Sequence, residues 1–259
     1  MRVLCIGDVF ASAGCDVLLQ KLPRLKKEKG IDLCIVNGEN SADCNGVTPQ
    51  SAEKIFAAGA DVITGGNHSM RNSSITDMLE GNGFLLRPDN IAAAAGSGYC
   101  LYDMGRYAAA VINLSGQICL ENLEAANPFS SADVLICRAK AEGARFILCD
   151  FHAEATSEKR ALGFYLDGRI SALFGTHTHV RTADAQVLPH GTGYITDLGM
   201  TGVKQSVLGV KKEIIIERLR IKDMSKFYPA EGAAQISGCV FTLDDRTGLC
   251  TGAEGFTAE

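Results

Sequence analysis

The sequence lacks almost everything that would mark a nucleic-acid scaffold, an exported protein or a membrane protein. Its basic residues form no run longer than the lysine pair in LKKEK at 25–29, and the formal net charge is −5. A broad cationic footprint for duplex DNA is therefore missing. An anionic ligand would have to be attracted by a local charge, because the global field opposes it. No apolar stretch approaches the roughly 18–20 residues that a bilayer span requires. The opening MRVLCIGD shows no charged leader and reads directly as a strand, so a cytoplasmic protein that contacts no membrane is the expectation. Ten cysteines are present, yet none forms a C-x-x-C pair. That spacing excludes a zinc knuckle, and without an export signal the thiols are expected to be reduced packing residues. Internal repeats, low-complexity segments and clear linkers are also missing. What remains is 259 residues, 46% hydrophobic and 21% charged. That is enough for a sizeable core, and one domain over 1–259 is the expected organisation.

Strand and helix patterns alternate through the first half. RVLCIG (2–7), DLCIVNG (32–38) and DVITGG (61–66) are short apolar runs ending in glycine. Between them, 16–30 and 48–60 carry helical spacing. The second of these predicts Thr48 as N-cap, Pro49 at the first helical position and an end at Gly59. Further strands are expected at 107–116, 145–152 and 170–179, with capped helices at 130–143 and at 157–168, the latter capped by Ser157. AQVLP (185–189), GYITDLG (193–199), KEIIIERLRI (212–221) and AQISGCVFTLDD (234–245) read as antiparallel pieces. The region 84–128, rich in Ala and Gly, is the hardest to read. Strand–helix–strand at this spacing predicts an α/β fold built on a largely parallel sheet.

Histidine is scarce, five in all, and four of the five fall in loops that follow a predicted strand. Asp8 follows the first strand. NGEN supplies Glu39 and Asn40, GGNH supplies Asn67 and His68, DFHAEAT supplies His152, and GTHTH supplies His177 and His179. In an open parallel sheet, ligands bind beyond the carboxyl ends of the strands, so these loops would converge on one rim. The fifth, His190 in LPHGTG, reads as a turn residue.

Each residue also has a plainer reading. Asp8 could be a turn or cap, Asn67 likewise, and His152 an ordinary core imidazole. The pair His177 and His179 is stronger, because alternate residues of an extended segment point the same way. The joint recurrence after successive strands favours a metal centre. Carboxylates, carboxamides and imidazoles without thiolate suit borderline or hard divalent ions: iron or manganese, with zinc as the alternative. Seven ligands exceed one tetrahedral ion and suit two, about 3.5–4 Å apart, with Glu39 as the natural bridge.

GDVF, NGEN, GGNH, DFHAEATSEK and GTHTHVRTAD followed by YITDLGMTG together resemble the YmdB-like family of bacterial metallophosphoesterases, relatives of the calcineurin-like phosphoesterases. The resemblance spans nearly the whole chain and is densest at 145–202. It implies two packed β-sheets flanked by helices (an αββα sandwich) with a dinuclear centre at the strand ends. By position, Asp8, Glu39, Asn40 and His179 would hold one ion. Glu39 would bridge to a second, held also by Asn67, His152 and His177. His68 would stand beside the centre as the acid facing the leaving group. The implied reaction is hydrolysis of 2′,3′-cyclic nucleotides or related small phosphodiesters by a metal-bound hydroxide. Glu154, Thr156 and Asp197 are candidates for orienting the ligating imidazoles, with turn or cap roles as the alternative. The wider superfamily carries a His where this chain has Phe10, a departure shared with the narrower branch. FASAGCD and the segment after His68, with Met70 and Arg71, also depart from the family pattern, which bears on substrate contacts from Ala11 to Cys15 and beside Met70.

Three rival readings remain. An amidohydrolase barrel uses H-x-H, but normally after its first strand. A catalytically weak, metal-binding regulatory protein would have no need of His68. A metal-dependent ribonuclease would keep the chemistry and take RNA ends, without the basic, aromatic-rich surface of a nonspecific RNA binder. A homo-oligomer is expected from the resemblance.

Overall fold

Along β1 (Arg2–Ile6), Val3 and Cys5 face one side while Leu4 and Ile6 face the other, and all four are buried. A strand buried on both faces lies between two layers, and the period of two decides which layer each residue joins. Val3 and Cys5 pack with Leu33 and Ile35 against Val111, Phe146, Leu148 and Phe174 of a second sheet. Leu4 and Ile6 pack under a helical layer through Leu18, Leu22 and Ile55. A third core joins Ile112, Leu114 and Leu173 to Leu135, Ile136 and Leu162 of helices on the far side. The order is helix, sheet, sheet, helix.

The computed structural model describes residues 1–43, 45–92, 95–120, 124–222 and 226–259. Among these, the first sheet runs β2 (Asp8–Val9), β11 (Met200–Val203), β12 (Ala234–Leu243), β1, β3 (Leu33–Asn37), β4 (Val62–Thr64), with β13 (Cys250–Ala258) also paired to β12. The second runs β5 (Tyr99–Asp103), β6 (Ala108–Ser115), β7 (Phe146–His152), β8 (Ala172–Thr176), β10 (Gly193–Ile195), β9 (Gln186–Val187). The β1–β3–β4 and β6–β7–β8–β10 pairings are parallel, whereas β12, β13, β5 and β9 pair antiparallel. The parallel core of each sheet therefore sends its strand C-termini to the same end.

Helix α1 (Ala11–Lys29) begins directly after β2, five residues before the expected start, and stops at Gly30 in the left-handed region. α2 (Pro49–Ala57) has the expected Thr48 cap, closed into a capping box with Ser51. α3 (Thr76–Gly81) is short. α4 (Pro128–Ala141) is capped by Asn127, upstream of the expected start at 130, since Pro128 fits the first helical turn. α5 (Thr156–Tyr165) corrects the Ser157 expectation: Ala155 stands at the N-cap and no side chain caps the helix. Residues 212–221 are a further correction, forming α6 (Lys212–Ile221) and not a strand. The β preference of Ile214, Ile215 and Ile216 depends on a strand partner, which this exposed segment lacks among the described residues. A Glu217–Arg220 pair, 2.8 Å, ties one helical turn to the next. The nine described cysteines are all free thiols, seven of them buried, as packing residues should be. No helix among the described residues is long and apolar enough to cross a membrane.

Candidate metal centre

Residues from both sheets meet where the parallel strands end. Asp8, in β2, is fully buried, and its Oδ2 accepts the His177 N–H at 3.0 Å. Its Oδ1 is buried with no hydrogen-bond partner. Glu39 follows β3 and is also fully buried. Its Oε2 lies 3.2 Å from His152 Nε2 and accepts the His68 N–H at 3.1 Å; its Oε1 accepts Asn40 Nδ2 at 2.8 Å. Asn67 and His68 follow β4 through Gly65 and Gly66. A Cβ on Gly66 would fall 2.1 Å from Glu39 Oε2 and 2.3 Å from His152 Nε2, so only glycine lets the two sheets close here.

The second sheet supplies imidazoles. His152, the last residue of β7, has Nε2 2.9 Å from Asn67 Oδ1 and 3.1 Å from His177 Nδ1. Its other nitrogen, Nδ1, lies 2.9 Å from Thr176 Oγ1. The Thr176 hydroxyl donates its proton to Asp150 Oδ1 at 2.7 Å, so it must accept from His152. That fixes a proton on Nδ1 and aims Nε2 at Glu39, Asn67 and His177. His177 is fixed in the opposite sense, with Nε2 3.1 Å from Glu154 Oε2 and Nδ1 facing the cluster. Glu39, His152 and His177 present donor atoms all within 4.8 Å of one another. His179 Nε2 reaches Asn40 Nδ2 at 3.4 Å, and its Nδ1 meets the Leu208 carbonyl at 3.1 Å.

The H-x-H geometry departs from the extended segment expected. β8 stops at Thr176, and His177 (φ 103) and His179 (φ 61) both adopt positive φ. The rings reach opposite ends of the cluster because the loop turns, not because a strand alternates. Such backbone is costly for residues other than glycine and persists only where neighbours enforce it. Here the enforcement is visible. Asp8 takes the His177 N–H, and Asp197 Oδ2 takes the Thr178 N–H at 3.1 Å.

Electrostatics divide the titratable groups. Burial raises the Asp8 carboxyl, partly offset by the His179 and His152 imidazoles. Burial also acts to raise Glu39, but His152 and His68 overcome it and hold the carboxyl well below the usual range. Burial would lower His152, yet Glu39, Asp8 and Asp150 push it up to about 9. Burial, with His152 beside it, brings His177 down to about 3, leaving its ring neutral and its lone pair free at pH 7.

The eight expected residues thus gather in one place, with one qualification. Asn40 presents Nδ2 to Glu39 and His179 and Oδ1 to His68 Nδ1 (3.2 Å), so offering oxygen to a cation takes a half-turn of its carboxamide. Among the supporting candidates, Glu154 and Asp197 make the contacts just described, whereas Thr156 opens α5 and makes no hydrogen bond to an imidazole among the described residues. His190 lies apart, bonded to Asp167 at 3.0 Å in an exposed turn. The cavity over the cluster, about 300 Å³, is lined by Glu39, His68, His177 and His179 among others, but not by Met70, Arg71 or Ala11 to Cys15.

Two supports were not anticipated from the sequence. Asp150, fully buried, collects Asn37 Nδ2 (2.9 Å), Thr64 Oγ1 and Thr176 Oγ1, and burial still pushes its carboxyl up to about 6. Lys159 is completely buried, its Nζ 2.7 Å from Asp197 Oδ2, the oxygen that also receives the Thr178 N–H. A signal for Lys159 existed: it shares the buried face of α5 with Leu162 and Gly163 at helical spacing.

Comparison with known proteins gives the family and the fold. A family model described as YmdB-like protein matches residues 4–255. The chain is 44% identical over 248 residues to a Bacillus subtilis (strain 168) protein named 2′,3′-cyclic-nucleotide 2′-phosphodiesterase, covering 95% of this chain and 93% of the relative. A crystal structure of a novel phosphatase from Mycoplasma pneumoniae matches with a TM-score of 0.93 at 31% identity, covering 99% and 92% of the two chains. A crystal structure of a hypothetical protein from Thermus thermophilus matches with a TM-score of 0.91 at 35% identity, covering 99% and 98%. The chain belongs to the YmdB-like family, and its sandwich is the metallophosphoesterase fold.

Proposed function

We propose that this YmdB-like chain, as one metallophosphoesterase domain over 1–259, holds two divalent transition-metal ions and hydrolyses phosphodiesters, with 2′,3′-cyclic nucleotides as the substrate class. The observation that carries the reading is the convergence of oxygen and imidazole donors from two sheets on one cavity. The name of the Bacillus subtilis relative supports the substrate class.

The residues fit such ions. Asp8 Oδ1 is a buried carboxylate oxygen with no hydrogen-bond partner, a costly arrangement without a cation. His152 Nε2 and His177 Nδ1 face each other at 3.1 Å, beside Glu39 Oε2 and Asn67 Oδ1, where a cation would take the place of the second proton on His152. Asp8, Glu39, Asn40 and His179 would hold one ion; Glu39, Asn67, His152 and His177 would hold the other. Iron or manganese suits this donor set, with zinc as the alternative. When bound, the ions lower the pKa of water towards neutrality and neutralise charge on phosphoryl oxygens, which answers how an acidic protein attracts an anion.

The chain's own work is positioning and proton delivery. His68 lines the cavity with Nδ1 3.4 Å from Glu39 Oε1, the contact that survives when the Asn40 carboxamide turns its oxygen from His68 to a cation. Its Nε2 has no protein partner among the described residues, and it is assigned as the donor to the departing ribose oxygen. Proton delivery of this kind contributes roughly 10²–10⁴ in rate.

Elemental analysis with turnover of 2′,3′-cyclic AMP tests the reading. Two metal equivalents and hydrolysis are expected; metal without turnover would favour a regulatory protein. His68→Ala should keep the metal and lose roughly 10²–10⁴ on the cyclic nucleotide, but less on a nitrophenyl ester, whose leaving group needs little protonation. Equal losses on both would remove His68 from this role.

A further inference from the structure

The cavity over the cluster has two unlike sides. Glu39, His68, His177 and His179 form one; Phe10, Leu208, Val210 and Phe227 form the other. A phosphodiester needs only the first, so the apolar side awaits a different part of the ligand.

That side is built, not incidental. Leu208 has φ 53, a left-handed backbone that branched side chains rarely adopt and that marks functional positions. Its carbonyl accepts from His179 Nδ1, so one residue both orients a cluster imidazole and lines the apolar side. A Cβ on Gly209 (φ 94) would fall 2.4 Å from Phe10 Cδ1, so the Phe10 ring lies on bare backbone. Reciprocal Val207–Val210 backbone bonds at 3.0 Å and an Ala230 N–H to Gly209 carbonyl bond at 2.8 Å close the loop. Phe227 is 46% exposed, with the Arg218 guanidinium 4.6 Å from its ring centre. Arg218 has no carboxylate partner among the described residues, which leaves its charge available to an anion.

The geometry points to Phe10, Leu208, Val210 and Phe227 as the subsite for the nucleobase of a cyclic nucleotide, with Phe227 the specificity-determining residue. This rests on the phosphodiesterase reading. An exposed aromatic ring offers a stacking face to any base, and the Arg218 guanidinium against the same ring adds a cation to the stack. The cavity of about 300 Å³ is of the size usual for small-molecule sites.

The test compares 2′,3′-cyclic AMP with methyl riboside 2′,3′-cyclic phosphate, which carries the same reacting ring and no base. In Phe227→Ala, the ratio of kcat/KM for the nucleotide over the baseless compound should fall about tenfold, through KM, and Phe227→Tyr should restore it. A ratio that does not move overturns the subsite, including a case where both substrates suffer equally. Calorimetric titration with adenosine 3′-monophosphate and with ribose 3-phosphate reads the same contact without turnover. Wild-type preference for the nucleotide, lost in Phe227→Ala, supports the subsite; equal affinities in wild type overturn it. Preference for the nucleotide in a protein that hydrolyses neither cyclic substrate would sink the phosphodiesterase reading and leave the subsite standing.

Discussion

The two sheets bring different chemistry to the seam and hold it by different means. The first contributes oxygen: Asp8 lies inside β2, and Glu39 and Asn67 sit two to three residues beyond β3 and β4. Strand backbone does most of that positioning, helped by the Asn37 side chain accepting the Glu39 N–H at 3.1 Å. The second contributes imidazoles on a strand end and a turning loop, and supports them with buried polar groups: Asp150 and Thr176 behind His152, Lys159 and Asp197 behind the H-x-H turn. A carboxylate offers two equivalent oxygens and can be aimed by nearby N–H groups, as Glu39 is by His68 and Asn40, whereas each imidazole has one lone pair whose direction a second set of contacts must fix. Neither sheet alone assembles the set.

The sharpest break of this comparison is Glu39→Gln. Glu39 touches His68 on its own sheet and His152 on the other. Losing its charge is expected to empty both positions and take turnover to background, while Asn67→Ala is expected to cost one metal equivalent of two. Two equivalents retained by Glu39→Gln would mean that the sheets share no bridging carboxylate.

Next in size is Lys159→Met. It leaves Asp197 buried without its cation, which typically costs about 3–5 kcal/mol of stability. Adding Asp197→Asn should recover much of that in denaturant unfolding. It should not recover metal affinity, expected to fall about 10–100-fold once the support of the H-x-H turn is weakened. If the double variant regains both stability and affinity, the pair serves the fold alone.

The same division explains what could be read from the sequence. The first sheet's donors were legible because they follow apolar runs directly, and β1, β3 and β4 appear where those runs predict them. Thr48 and Pro49 announced α2 because their signal is local. Lys159 was harder: a lysine is ordinarily exposed, and its partner Asp197 lies 38 residues away. The H-x-H turn looked extended because positive φ at a histidine has no sequence signature. KEIIIERLRI looked like a strand because three isoleucines favour one wherever a neighbouring strand exists. For Lys159 and the H-x-H turn the deciding contact is distant along the chain; for KEIIIERLRI it is a strand partner that the described residues do not supply.

The smallest expected effect separates the sheets by pH. In the metal-free protein the folded His152, at about 9, keeps a proton that the unfolded chain releases near 6.5. Its contribution is therefore complete below about pH 6.5 and is lost as pH rises through about 9. His177, held near 3, has the opposite sign: its contribution is present above about 6.5 and is lost as pH falls towards 3. Stability of the metal-free form should decline on both sides of near-neutral pH, with Tm moving about 2–4 °C for each kcal/mol. A divalent ion on His152 Nε2 takes the place of that second proton, so the alkaline decline should flatten in the metal-loaded protein. Thermal unfolding from pH 6 to 9.5, with and without chelator, measures this. Parallel alkaline declines in the two forms would mean that His152 keeps its proton and holds no metal, and the second sheet would then contribute only His177 and His179.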